Sequence, residues 1–204
     1  LTLWMLIGFL FAGYAVKAND SVQTLGTWIA SNNDKFNWKI MWGAASAVLL
    51  WTLWYGWYTN GGDISYGRLN KIPFEEIKWY HAMAPGILLI LTRIGVPVST
   101  SFLVLSAFAS TFVLEKMLMK SMMGYAVAAV AAYAIWIVVS KILDEAKAVK
   151  EEHKSYWRVG QWVTTGFLWF TWLSHDMANI AVFLPREIPY DLMIMISVVF
   201  IACL

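Results

Sequence analysis

The chain has 204 residues, 60% of them hydrophobic and 16% aromatic, against 14% charged and a formal net charge of +2. A soluble fold must cover itself with more charge than that, so the composition excludes a soluble domain and reads as an all-α polytopic membrane protein. The basic residues form no stripe, which argues against nucleic acid as a partner. A single cysteine, Cys203, excludes an intrachain disulfide and a cysteine-rich metal site.

The first apolar run, Leu1 to Tyr14, has no basic segment before it and reads as a membrane span of the mature protein rather than a secretory signal. Ser21 to Ala30 continues as a helix-compatible run, but the polar knot Lys17-Ala18-Asn19-Asp20 lies between the two. Two half-helices meeting at the knot are expected. Unwound backbone inside a bilayer survives only where protein or a water-filled cavity satisfies its polar groups, so a break of this kind predicts a site.

Ser31 to Trp38 reads as a polar turn, and Lys39 to Tyr58 as a spanning helix whose Trp42, Trp51, Trp54 and Trp57 suit the interfacial belts. Thr59 to Lys78 is expected to be an extramembrane loop with a Gly-Gly turn and an amphipathic tail, Pro73 to Lys78, lying in the interface. Trp79 to Ile94 and Val98 to Leu114 flank a second break at Gly95-Val96-Pro97, where Pro97 favours a helix start and Ser99 or Thr100 can bond the free N–H groups of the first turn. Met122 to Ile142 is the next span, with a small-residue face including Ala126 and Ala129 that suits close helix contact.

Lys141 to Arg158 is the one dense charge run. Asp144, Lys147 and Glu151 stand at helical neighbour spacing within it, and a solvated helical linker with an exposed His153 is expected. Trp157 to Leu173 then spans inward to a third knot, Ser174-His175-Asp176, and Met177 to Leu184 leads away to a surface turn at Pro185 to Pro189. The last run, Tyr190 to Leu204, is about 15 residues, short of the roughly 20 that cross a hydrocarbon core, and an incomplete chain is expected. Basic residues divide almost evenly between alternate loops, which leaves orientation open.

The first and third knots resemble each other. Asp20 and Gln23 are matched about 156 residues later by Asp176 and Asn179, each pair following a Trp- or Phe-bearing apolar run, which is the mark of an internal repeat. The paired boxes resemble the Gly-Ala-Asn-Asp-Val-Ala-Asn signature that inorganic phosphate transporters of the PiT family carry once per inverted half. Gly95-Val96-Pro97-Val98-Ser99-Thr100-Ser101 is similar to that family's Pro-(Ile/Val)-Ser-Thr-Thr-His box, and Gly61-Gly62-Asp63-Ile64-Ser65 lies where the first half has a Gly-rich turn.

The resemblance implies an inverted-repeat secondary transporter with broken helices meeting at the bilayer midplane. Residues 1–142 would be the first repeat, 143–156 a charged linker and 157–204 the start of the second. Its cargo would be phosphate, with Na⁺ or H⁺ as coupling ion and no other cofactor, in the plasma (inner) membrane, and a homodimer is left open. This chain departs from the pattern at Lys17, which replaces a small residue, at Gln23 and His175, which replace Asn, and at Ser101-Phe102, which replaces Thr-His. Sulfate or another tetrahedral oxyanion therefore stays open, as does a transport-inactive subunit or scaffold.

An ionisable residue at the centre of a spanning helix costs roughly 2.5 to 3.5 kcal/mol, so Asp20 and Asp176 are functional candidates, the alternative being helix caps. With Asn19, Gln23 and Asn179 they form a candidate cation site, and Asp20 and Asp176 would hold Na⁺ if sodium is the coupling ion. Ser21, Thr24, Ser99, Thr100, Ser101 and His175 are the candidate anion-binding residues, aided by helix N-termini. Capping and packing are the alternative for the hydroxyls, and His175 stands as amide substitute or proton carrier. Lys17 and Arg93 could reach an anion or snorkel to the interface. No nucleotide loop, zinc spacing or nucleophile triad occurs, so no enzymatic activity is expected.

Overall fold

The computed structural model describes residues 1–96, 98–145 and 154–204, so Pro97, Lys147, Glu151 and His153, and with them most of the expected linker, lie outside the described residues. Among those described, the chain is all-helical, with no strand.

The first rod runs without interruption over residues 3–32. It consists of α1 (Leu3–Ala15), a π-helical turn at Val16–Asp20, and α2 (Ser21–Asn32). The expected unwound break at Ala18 to Asp20 is thus corrected. The backbone stays hydrogen-bonded, Ser21 N–H donating to the Val16 carbonyl, and one widened turn absorbs the polar residues. Such π-bulges cluster at functional sites because they re-aim side chains without exposing backbone.

After a turn comes α3 (Trp38–Thr59), then an ordered loop with one 3₁₀ turn at Arg68–Lys71, then α4 (Trp79–Arg93). The loop is no solvated excursion. Ile64, Leu69, Ile72 and Ile77 are buried in the main hydrophobic cluster, because four apolar side chains spaced along it anchor it to the helices. It also mates with the turn before the last helix: Ile188 N–H donates to the Gly62 carbonyl at 3.0 Å, and Arg186 Nη2 to the Ile72 carbonyl at 3.0 Å. The second expected break is present, with irregular backbone between α4 and the short α5 (Thr100–Ser106).

Then follow α6 (Thr111–Glu145), α7 (Lys154–Ala181) and α8 (Tyr190–Cys203). The third expected break is absent: α7 passes helically through Ser174, His175 and Asp176. Its last turns form the centre of the fold, with Leu173, Met177, Ala178 and Ile180 fully buried. Apolar packing of the face that carries Leu173, Met177 and Ile180 holds that helix together, so the polar residues on its cavity side do not unwind it. The first rod and α7 lie antiparallel: Trp28 meets Trp162 edge-on at 5.0 Å and Asn32 bonds Gln161 at 3.0 Å, while Asp20 sits beside Asp176.

Within α6, Thr111–Ile142 is the one stretch, among the described residues, both long and apolar enough to cross a membrane. Its apolar surface is left open on all sides, including the alanine face expected to meet a neighbour. At 22 and 28 residues, α3 and α7 have the length, but their Trp, Tyr, Gly and polar content keeps them below the composition of a lone span.

Close approach is tightest at Gly8, where an added Cβ would stand 2.3 Å from the ring of Phe183. Phe183 is itself fully buried and has nowhere to swing. Gly8→Ala is therefore expected to lower stability by about 1 to 3 kcal/mol through overpacking, overriding the usual helix gain of alanine. Gly26→Ala, with nothing within 4 Å, should be neutral or stabilising. Thermal unfolding of the detergent-purified protein compares the two.

Candidate functional site

The first rod, α5 and α7 converge on a cavity of about 790 Å³ lined by Asn19, Asp20, Gln23, Ser99, Thr100, Ser101, His175 and Asp176, with Tyr125 of α6 at its outer wall. The two carboxylates lie deep in its floor, Asp20 2% and Asp176 5% exposed, and are near enough to each other to share a hydrogen bond when one is protonated. Neither acts as a cap. Asp20 makes no capping bond to α2, and Asp176 lies in the interior of α7, so the alternative reading of the pair as helix caps is set aside by the geometry.

Consecutive hydroxyls of α5 serve different carboxylates. Thr100 Oγ1 donates to Asp20 Oδ1 at 3.2 Å, and Ser101 Oγ donates to Asp176 Oδ1 at 3.2 Å. Each carboxylate also has an amide. Asn19 Nδ2 donates to Asp20 Oδ1 at 2.9 Å and to Thr100 Oγ1 at 3.1 Å; Asn179 Nδ2 donates to Asp176 Oδ1 at 3.3 Å and to Ser101 Oγ at 3.1 Å. The arrangement is two carboxylate–amide–hydroxyl sets set side by side. Ser99 makes it possible, because its Oγ takes the Phe102 N–H at 3.3 Å and so caps α5, leaving the next two hydroxyls free.

The remaining expected residues divide. Gln23 lines the cavity and supports Asn19, its Nε2 donating to Asn19 Oδ1 at 3.2 Å. His175 is largely exposed at the rim, with Nδ1 3.2 Å from Asp176 Oδ1. Ser21 and Thr24 do not reach the cavity: inside a helix their hydroxyls turn back onto the carbonyls of Lys17 and Asp20. Lys17 faces a separate apolar hollow beside Tyr14 and Trp169, and Arg93 is exposed at the end of α4. Neither lines the site.

Of the three expected helix N-termini, the two at the first and third knots are missing as anion donors, and only that of the short α5 opens at the cavity. The first rod and α7 run through their polar knots hydrogen-bonded, so no free N–H groups arise there, and no unwound carbonyls are offered to a cation. Around the two carboxylates, Asp20 Oδ2 and Asn179 Oδ1 are buried without partners, as is the indole N–H of Trp172; Asp20 and Trp172 line the cavity. Buried polar groups are normally satisfied, so these mark where a guest's charge and hydrogen bonds would go. No group of three or more Asp, Glu, His or Cys side chains suited to a metal occurs among the described residues; the centre offers two carboxylates and amide oxygens, a hard-oxygen set.

Two contributors were not legible in the sequence. Trp172 belongs to the Trp157 to Leu173 run, which reads simply as a span. Arg68 lies in the α3–α4 loop, outside the spanning helices, yet its Nη1 donates to the carbonyl of His175. Burial lowers its pKa from the usual value while the Asp176 charge opposes the shift, and guanidinium stays a cation. No family model, curated protein or solved structure matches the chain.

Proposed function

We propose that this chain carries the cargo site of a multi-pass, inverted-repeat secondary transporter of the plasma (inner) membrane. Its cargo is phosphate or a similar tetrahedral oxyanion, moved together with Na⁺ or H⁺. The observation that supports this best is the pair of matching carboxylate–amide–hydroxyl sets, contributed by two antiparallel rods and joined by adjacent residues of α5. A structural polar contact needs neither the duplication nor a cavity on top of it.

Charge decides the mechanism. At ~5 Å and an effective dielectric near 20, a carboxylate and one unit of anion charge repel by about 3 kcal/mol. An oxyanion therefore enters only after the carboxylates are neutralised. A cation drawn to Asp20 and Asp176, with the free oxygens of Asp20 and Asn179, removes the repulsion; so does a proton shared by the pair. The Ser99 hydroxyl, whose Oγ only accepts in the cap of α5, and the unpartnered Trp172 N–H then donate to the anion, while Thr100 and Ser101 keep their single protons on the carboxylates. Movement of one rod against the other, with the site between them, would alternate access.

The test is uptake of labelled phosphate into proteoliposomes under an inward Na⁺ or proton gradient. Accumulation above an ionophore-collapsed control, competed by unlabelled phosphate, is expected. Competition by sulfate in place of phosphate would reassign the cargo. No uptake, together with no thermal stabilisation by any oxyanion, would identify a scaffold.

A further inference from the structure

We propose that Arg68 is a built-in counter-charge for the Asp20–Asp176 pair, delivered by the α3–α4 loop, and that it sets the affinities of the site for cation and oxyanion in opposite directions. The proposal rests on the transport reading above and adds a residue that lies outside both repeated boxes.

The loop is built to hold one position. Asp63 folds its first turn, accepting from Ser65 N–H at 2.7 Å and Ser65 Oγ at 2.6 Å on its two oxygens, and from Gly67 N–H at 3.2 Å. Tyr66 at φ 56° and Gly67 at φ 71° then reverse the chain, a left-handed pair that a solvated linker has no reason to adopt. Tyr66 hydroxyl ties the reversal to α3 by donating to the Thr52 carbonyl at 2.6 Å. Ile64 and Ser65 are fully buried and Leu69 nearly so, which pins the segment on both sides of Arg68.

The guanidinium arrives at the residue before Asp176, with Nη1 on the His175 carbonyl, within the electrostatic reach of the Asp176 carboxylate. Lys17, three residues before Asp20, and Arg93, six before Ser99, face elsewhere. Two neighbouring buried carboxylates with hydroxyl and amide donors alone remain short of positive charge. A permanent cation beside one of them eases their repulsion in the empty state. It also opposes a mobile cation entering the pair, and it attracts the oxyanion that follows. A residue with only a tethering role would weaken both affinities together.

The experiment is calorimetric titration of the purified full chain with inorganic phosphate across a NaCl series at fixed pH, repeated across pH without Na⁺. For Arg68→Gln the cation concentration giving half-maximal phosphate binding should fall at least tenfold, while phosphate Kd at saturating cation should rise at least tenfold. Arg68→Lys keeps the charge and should stay within about threefold of wild type in both, and it reads the proposal even if the glutamine variant does not fold. Arg68→Gln shifting both affinities the same way or not at all, or Arg68→Lys matching a shifted glutamine variant, would overturn the counter-charge role while leaving the transport reading standing. Wild-type protein that binds neither phosphate nor Na⁺ would overturn both.

Discussion

Replacing either buried carboxylate by its amide should abolish cation-driven phosphate uptake while the protein stays folded. In Asp20→Asn the side-chain oxygen still accepts from Asn19 and Thr100, the bonds that Oδ1 takes now. The new amide N–H₂ replaces Asp20 Oδ2, an oxygen without a partner, and can donate toward Asp176. Asp176→Asn likewise keeps an acceptor for Ser101 and Asn179. What disappears is one negative charge from the proposed cation site, worth about 3 kcal/mol at ~5 Å and an effective dielectric near 20, or about a hundredfold in cation affinity. Because each substitution also relieves repulsion between neighbouring carboxylates, the melting temperature should hold or rise. Proteoliposome uptake paired with thermal unfolding checks both arms. Uptake at the wild-type rate with unchanged cation dependence would reduce that carboxylate to a structural contact.

Phosphate affinity should rise steeply with Na⁺ or with falling pH. Helix N-termini would have softened this dependence, at roughly 0.3 to 2 kcal/mol each. The unbroken rods withdraw them, and α5 is only seven residues long. With both carboxylates ionised, a dianion thus meets repulsion that hydroxyl and indole donors cannot offset. Lowering pH protonates a carboxyl and removes that charge, so the sign of the pH effect is tighter binding in acid, and Na⁺ achieves the same neutralisation at constant pH. Linkage requires the reverse as well: phosphate must tighten cation binding by the same factor. A change of at least tenfold in phosphate Kd across a Na⁺ series at fixed pH identifies sodium as the coupling ion, and the same change across pH without Na⁺ identifies the proton. Phosphate affinity indifferent to both would remove the physical basis of symport.

Much of the cavity lining is conspicuous in the sequence, because polar residues inside apolar runs are costly. Asp20, Asp176 and the Ser99-Thr100-Ser101 stretch stood out for that reason. Spacing misled in one respect. The repeat pairs Asp20 with Gln23 and Asp176 with Asn179, yet in space the amide serving Asp20 is Asn19. Asn19 and Asp20 both lie in the π turn, and Gln23, in α2, bonds Asn19 instead of the carboxylate. Ser21 and Thr24 stand apart from the cavity for a local reason, a hydroxyl inside a helix having a competing acceptor one turn back.

The sequence by itself determined that the chain is helical, that α6 is apolar enough to cross a membrane, and that carboxylates and amides recur at matching places in two apolar rods. These are local properties: hydropathy, period and the cost of a polar group are all read within a window of about twenty residues. The tertiary structure alone decided that the rods remain unbroken at their polar knots, that adjacent hydroxyls of α5 divide between the two carboxylates, and that Arg68 reaches α7 from a loop that composition assigns to water. Each of those depends on contacts between residues 75 to more than 100 positions apart. Whether backbone unwinds is settled by the packing around a knot, and where a loop side chain arrives is settled by the buried residues that anchor it.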